Sequence, residues 1–265
     1  MIPFFEPVSF PIGPLTIHLF GIFVATGILV GARWTQIRGA QLGLGKDDVS
    51  SMITSTLVVG FIVAHLFDVI AYMPRERWTF TTFINPFEGI SSYGGFMGAL
   101  IGLFGWCRWH RRPVMPYADS LGYGLSIGWM FGRLGCFSAH DHIGRLTDSW
   151  LAVTFPDNHP RFPSGRRFDL GFDEALWAAS VALVFYILAR KKRPLGLYVA
   201  LLTTLYGPFR FFLDGLRAVD IREPDARYFG YTPAQYGAAA TTLAGIGLLV
   251  WTWRNFKAAT PRTTA

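Results

Sequence analysis

Apolar residues in this chain fall into seven long runs separated by polar or basic breaks, at about 15–35, 49–73, 93–109, 118–137, 173–190, 195–214 and 233–253. A hydrocarbon core about 30 Å thick is crossed by roughly 20 apolar residues of α-helix. Backbone in lipid must also satisfy its own hydrogen bonds. The runs therefore predict an all-α membrane protein, a seven-transmembrane-helix bundle forming a single polytopic domain over 1–265. The run at 93–109 is short and is expected to enter obliquely. The runs at 118–137 and 195–214 each contain an arginine, Arg133 and Arg210.

Composition supports a membrane class. The 265 residues are 51% hydrophobic and only 15% charged, against about 25% charged in soluble domains. The net charge of +7 then reads as basic cytoplasmic loops and lipid contacts, with no nucleic acid. Basic residues gather at Arg33, Arg38 and Lys46, at Arg108, Arg111 and Arg112, in the turn 190–193, and in the tail. The positive-inside rule places the N-terminus outside and the C-terminus in the cytoplasm. No Lys or Arg precedes Arg33, so the first run is expected to be an uncleaved span. The polar loop at about 138–172, between spans four and five, falls on the outer side, where long loops tend to carry function. Cys107 and Cys136 are expected at opposite faces, too far apart for a disulfide.

The residues able to carry chemistry concentrate at that outer end. Gly132–Arg145 reads G-R-L-G-C-F-S-A-H-D-H-I-G-R, running from an apolar span into a polar loop. An arginine in or near hydrocarbon is expensive and usually serves an anionic partner in a protein-lined cavity. Arg133 and Arg210 at similar depth would clamp a phosphate through paired N–H donors. The alternative is structural pairing, Arg210 with Asp214 and Arg133 with Asp141 or Asp214. His140, Asp141 and His142 suit acid–base work, with Asp141 holding the tautomer of His140. The same triplet, with His65, His159 or Asp148, has the residue types of a metal site but not the spacing. Tyr93 before Gly94 and Gly95 would point its hydroxyl into the site or anchor the interface. His65 and Asp68 share one face of span two. Cys136 is either a small packing residue or a thiol activated by Arg133.

Taken together these motifs resemble the prolipoprotein diacylglyceryl transferases of bacteria. The resemblance runs from about residue 15 to 255. It rests on G-R-x-G-C-F…D-x-x-G-R at 132–145, L-Y-G-P-F-R-F-F-L-D-G-L-R at 205–217, Tyr93-Gly94-Gly95, His18-Leu19-Phe20-Gly21 and Gln235. It implies a seven-span inner-membrane enzyme that moves the diacylglyceryl group of phosphatidylglycerol to the lipobox cysteine of a preprolipoprotein. It implies no metal and no organic cofactor. By resemblance Arg133 and Arg210 take essential arginine positions, Asp141 and Asp214 stand where the family has glutamates, and Gly144 matches a signature glycine. Four positions depart from the family pattern. Tyr93 stands in place of a histidine, Cys136 of an asparagine and Phe20 of a tyrosine, and His65 occupies an arginine position.

The resulting expectation is a divergent transferase of the bacterial inner membrane. His140, Asp141, Tyr93 and Arg210 are its catalytic set. Arg133, Arg210, Gly144 and Cys136 bind phospholipid, and His65, Asp68 and Asp214 give support. Its partners are phosphatidylglycerol and a preprolipoprotein lipobox peptide. The competing expectation is a non-catalytic or acceptor-altered lipid- or lipoprotein-binding paralogue. A solute transporter would spread polar residues through the midplane, which this chain does not do.

Overall fold

The structure is a computed structural model describing residues 2–13, 15–71, 73–85, 89–221 and 227–259; the side chains of Ile12, Leu15, Ser92, Tyr93 and 256–259 also lie outside that description. Eight α-helices are described: α1 (Leu19–Gln41), α2 (Lys46–Ala71), α3 (Phe80–Ile84), α4 (Ser92–Trp109), α5 (Val114–Ala139), α6 (Leu170–Leu188), α7 (Leu197–Asp214) and α8 (Pro233–Ala259). All but the five-residue α3 coincide with the apolar runs. Three of them, α1, α2 and α6, are long and apolar enough to cross a membrane by themselves. The helices α5 and α7 contain Asp119, Arg133, Arg210 and Asp214. Large apolar side chains are exposed on the helices, among them Leu29, Ile62, Leu183 and Leu243, as expected of a protein whose solvent is lipid.

The described part of the chain packs as two compact units, one formed by 2–35 with 122–259 and the other by 36–121. In the second unit α4 lies close against α2. A Cβ added at Gly98 would stand 2.6 Å from the Val59 carbonyl oxygen and 2.8 Å from Gly60 Cα, and one at Gly94 would meet Val63 O at 2.7 Å. Small residues let helix backbones approach this closely. Gly94 leaves room for the backbone of α2. At the other end of this unit, Arg38 and Asp119 form a buried ion pair at 2.8 Å.

The polar loop at about 138–172 differs from expectation. It is not irregular. Three strands, β4 (Ile143–Leu146), β5 (Val153–Phe155) and β6 (Gly165–Asp169), join the N-terminal β1 (Ile2–Pro3) in a sheet of order β1-β5-β6-β4. The β1–β5 pairing is parallel and the other two are antiparallel. Ser9–Ile12 (β2) and Leu15–His18 (β3) form a separate hairpin. The strands alternate too briefly, among too many Gly and Pro residues, for a period of two to show in the sequence. The sheet leads directly into α6: Asp169 is its N-cap, accepting from Gly171 N at 3.1 Å and Phe172 N at 3.3 Å, a bond that satisfies otherwise orphaned helix donors.

Candidate active site

The site is built where α5, α6, α7 and the start of α8 meet within the first unit. Glu174, in the second turn of α6, is completely buried. Its Oε2 takes Arg133 Nε of α5 at 3.2 Å and Arg210 NH1 of α7 at 3.0 Å. Its Oε1 accepts from Trp129 Nε1 at 2.9 Å and from Tyr206 OH at 3.0 Å. One carboxylate thus receives four donors from two helices. A buried carboxylate persists only when paired and fully hydrogen-bonded, and this one is. The Arg133 guanidinium also lies 4.7 Å from the Trp129 ring centroid, which fixes its plane by cation–π attraction.

The network continues along α7. Arg210 NH2 reaches Asp214 Oδ1 at 3.2 Å one turn later, and Arg217 NH1 stands 3.7 Å from the same oxygen. The other Asp214 oxygen accepts the hydroxyl of Thr232. Thr232 also opens α8 with a capping box. Its N–H donates to Gln235 Oε1 at 3.0 Å, and Gln235 N–H donates to Thr232 Oγ1 at 3.2 Å, the reciprocal pattern that T-x-x-Q encodes. Three guanidiniums (Arg133, Arg210, Arg217) and two carboxylates (Glu174, Asp214) thus form one cluster. Among the described residues, Arg133 NH2 and Arg210 Nε have no protein partner.

Beyond Arg133 lies the end of α5. Arg133 NH1 stands 3.8 Å from Cys136 Sγ. Cys136 is half-buried and, like the buried Cys107, a free thiol. The Cys136, Asp141 and His142 ligand-type atoms lie within 4.8 Å of one another. Asp141 Oδ1 is 2.8 Å from His142 Nδ1.

His140 is placed differently from expectation. It is 1% exposed, its Nδ1 is 2.6 Å from Asp169 Oδ2, and its Nε2 is 3.2 Å from the Phe5 carbonyl. The rings of Phe4, Phe5, Phe137, Phe155 and Phe162 surround it at 4.5–5.8 Å. With both nitrogens engaged and no path to solvent, this imidazole is not open to an incoming thiol. Asp141 lies beside His142, not His140; the carboxylate that orients His140 is Asp169. Burial pushes the Asp169 carboxyl above the usual carboxylate range, while the bond from His140 pulls it back down. The reason sequence spacing misled is backbone conformation. His140 follows the helix at φ +50°, and its side chain meets Asp169 rather than the adjacent Asp141.

Other expected residues also have definite places. Arg133, Arg210 and Asp214 come together as expected, and Arg210 pairs with Asp214, but the carboxylate that Arg133 pairs with is Glu174, not Asp141 or Asp214. Gly144 faces protein, not lipid: a Cβ there would stand 2.7 Å from Phe168 Cβ and 3.1 Å from Leu216 O. Its role is to let β4 pass between β6 and the segment after α7. His65 and Asp68 belong to the other unit and do not pair. His65 binds the carbonyls of Gly89 and Thr82, each at 3.0 Å. The side chain of Tyr93 lies outside the described residues. Glu174 is the residue that the sequence reading missed. Its signal was present, an ionisable residue inside an apolar run, but a carboxylate near a helix N-terminus reads equally well as a dipole partner.

A family model for prolipoprotein diacylglyceryl transferase matches residues 7–251. The chain belongs to this family. It is 28% identical to the phosphatidylglycerol–prolipoprotein diacylglyceryl transferase of Chromohalobacter salexigens over 96% of this chain and 94% of that protein. It is 30% identical to the protein of that name from Janthinobacterium sp. over 82% of this chain and 84% of the relative. The Vibrio cholerae protein of the same name is 27% identical over 96% and 93%. The stretch matched by the prolipoprotein diacylglyceryl transferase model contains every member of the Arg133–Glu174–Arg210 cluster.

Proposed function

We propose that the protein transfers the diacylglyceryl group of phosphatidylglycerol to the lipobox cysteine thiol of a preprolipoprotein. The thiol sulfur forms a bond to the glyceryl carbon that carries the phosphate. The C–O bond to phosphate breaks, and its electron pair leaves on glycerol phosphate. Charge grows on the departing phosphate, so preorganised donors aimed at it lower the barrier. The observation that carries this reading is the pair of guanidiniums, Arg133 and Arg210, held together by the buried Glu174. Arg133 NH2 and Arg210 Nε are the donors offered to the phosphate. The Asp141–His142 pair, next to Cys136, receives the thiol proton. A thiol with an unperturbed pKa near 8.5 gains from such a base. His140 is assigned a positioning role, because it fixes the loop that presents Asp141 and His142.

In the same reading the seven long helices are seven spans in a bacterial inner membrane, with the N-terminus outside and the C-terminus cytoplasmic. The basic turns at 108–112 and 190–193 support this orientation. The alternative, a paralogue that binds lipid or lipoprotein without consuming it, is favoured by one observation, the replacement of the family histidine by Tyr93.

One assay separates the two. Purified protein in phosphatidylglycerol vesicles is given a lipobox peptide, and the peptide mass is followed. A gain of one diacylglyceryl group, abolished by Arg210→Ala, is the expected result. Phosphatidylglycerol bound but never consumed is the result of the binding-only reading.

A further inference from the structure

The turn between α4 and α5 contains a second cationic feature that the transfer reaction does not use. A cavity of about 540 Å³ is lined there by Phe104, Cys107, Arg108, Arg111, Arg112 and Val114. Arg112 is neutralised by Asp48 at 2.7 Å. Among the described residues Arg108 and Arg111 have no acidic partner, and both are exposed. Arg111 sits at φ +53°, just past the end of α4. The turn is closed by bonds from His110 N to Trp106 O and from Arg112 N to Cys107 O, both 2.9 Å. A helix end of this kind normally places glycine in the left-handed position. Arginine there costs conformational energy, and strain of this kind persists where a side chain has a use. Below the guanidiniums the cavity wall is apolar. It runs onto the exposed face of α4 formed by Met97, Leu100, Ile101 and Phe104, and Trp109, the last residue of α4, is 85% exposed. Val114 opens α5, whose first turn has no acidic residue, so free N–H groups add to the positive field.

We propose that this cavity is a binding site for an anionic phospholipid, distinct from the Arg133–Arg210 cluster. The phosphate would lie on Arg108 and Arg111 and the acyl chains along the apolar face of α4. Two unpaired cations above an apolar wall match an amphiphilic phosphodiester, with Trp109 at the headgroup level as aromatic side chains prefer. A zwitterionic lipid lacks the net charge to repay two guanidiniums.

The test measures lipid retention and not transfer, so it stands apart from the transferase reading. Full-length protein in nanodiscs of equal phosphatidylglycerol and phosphatidylethanolamine is released into native mass spectrometry, and the bound lipids are counted. All variants carry Arg210→Ala to silence the other site. Retained phosphatidylglycerol is expected to exceed phosphatidylethanolamine. Arg108→Gln with Arg111→Gln should lower that excess about 25-fold, since each Lys or Arg near an anionic surface contributes roughly fivefold. Val114→Trp, which keeps both charges and fills the apolar wall, should also lower it. Arg190→Gln with Lys191→Gln, in another basic turn, should not. Equal retention of the two lipids, or equal loss in the control pair, overturns the site. Displacement by millimolar inorganic phosphate would assign it to free phosphate and overturn the lipid assignment.

Discussion

At the residue scale, Glu174 decides whether the two arginines are available as a pair. Without its charge, Arg133 and Arg210 repel one another in a buried setting. Glu174→Gln keeps the shape and removes the charge, so two guanidiniums lose their shared counter-ion. Breaking a buried pair in this way costs about 3–5 kcal/mol. The expected outcome is a lower melting temperature in detergent, together with a fall in single-turnover transfer. The separate role of geometry is tested at Arg210. Arg210→Lys retains the charge but not the planar fork that binds Glu174 and Asp214 at once. Transfer is expected to drop by about 10²-fold, the scale of losing one preorganised donor, with the melting temperature changed far less than in Glu174→Gln. Wild-type rates in Arg210→Lys would remove bidentate geometry from the mechanism. The arginines were legible in the sequence because charge inside an apolar run is conspicuous. Their shared carboxylate was not, because the 41 and 36 positions that separate Glu174 from Arg133 and Arg210 carry no periodic signal.

At the element scale, the four-stranded sheet is held by side chains that look catalytic in a linear reading. His140 joins the end of α5 to Asp169, and Asp169 caps α6. His140→Ala empties an aromatic box and leaves Asp169 without its partner. The strands 143–169 are expected to exchange their amide hydrogens faster, while α2 and α4 keep wild-type protection. If 143–169 stay protected and only transfer is lost, His140 is catalytic after all. The same sheet is tied to the segment after α7 by Arg167, which reaches both Asp220 oxygens at 2.9 and 2.6 Å. These bonds hold the Asp220 carboxyl below the usual carboxylate range. The folded value is therefore lower than the unfolded one, near 3.9. The stabilisation is complete above the unfolded value and is lost as pH falls through the folded one. Protection of 143–169 in wild type and Asp220→Asn should differ by a constant margin from pH 7 down to about 4, then converge in stronger acid. The effect is expected to be small, because Asp220 is 48% exposed and solvent screens the pair. In the other unit, Gly98→Val would place its Cβ on the backbone of α2. Overpacking of this kind typically costs about 1–3 kcal/mol, read as a lower melting temperature.

On the scale of the whole molecule, a phospholipid that binds only the folded form must stabilise it by mass action. At about 100 times its Kd the gain is about 2.7 kcal/mol. Phosphatidylglycerol added to delipidated protein is expected to raise the melting temperature of wild type. It should raise that of Arg133→Ala with Arg210→Ala less, by the share of the transfer site. An equal rise in both proteins would place all lipid binding elsewhere.

The sequence by itself determined the class of protein, the number and position of the long helices, and the two arginines, because hydrophobic length and intramembrane charge are local properties that a run of residues displays directly. The family motifs at 132–145 and 205–217 were equally legible, since their order and spacing are linear. Only the tertiary structure decided which acid holds which base. It assigned Glu174 to both arginines, Asp169 to His140, and Asp141 to His142. It also turned an apparent loop into a four-stranded sheet through β1, which lies about 150 residues from its partner β5. Pairings of that kind depend on how distant segments meet, and an ionisable side chain is committed only when burial removes water as the competing partner.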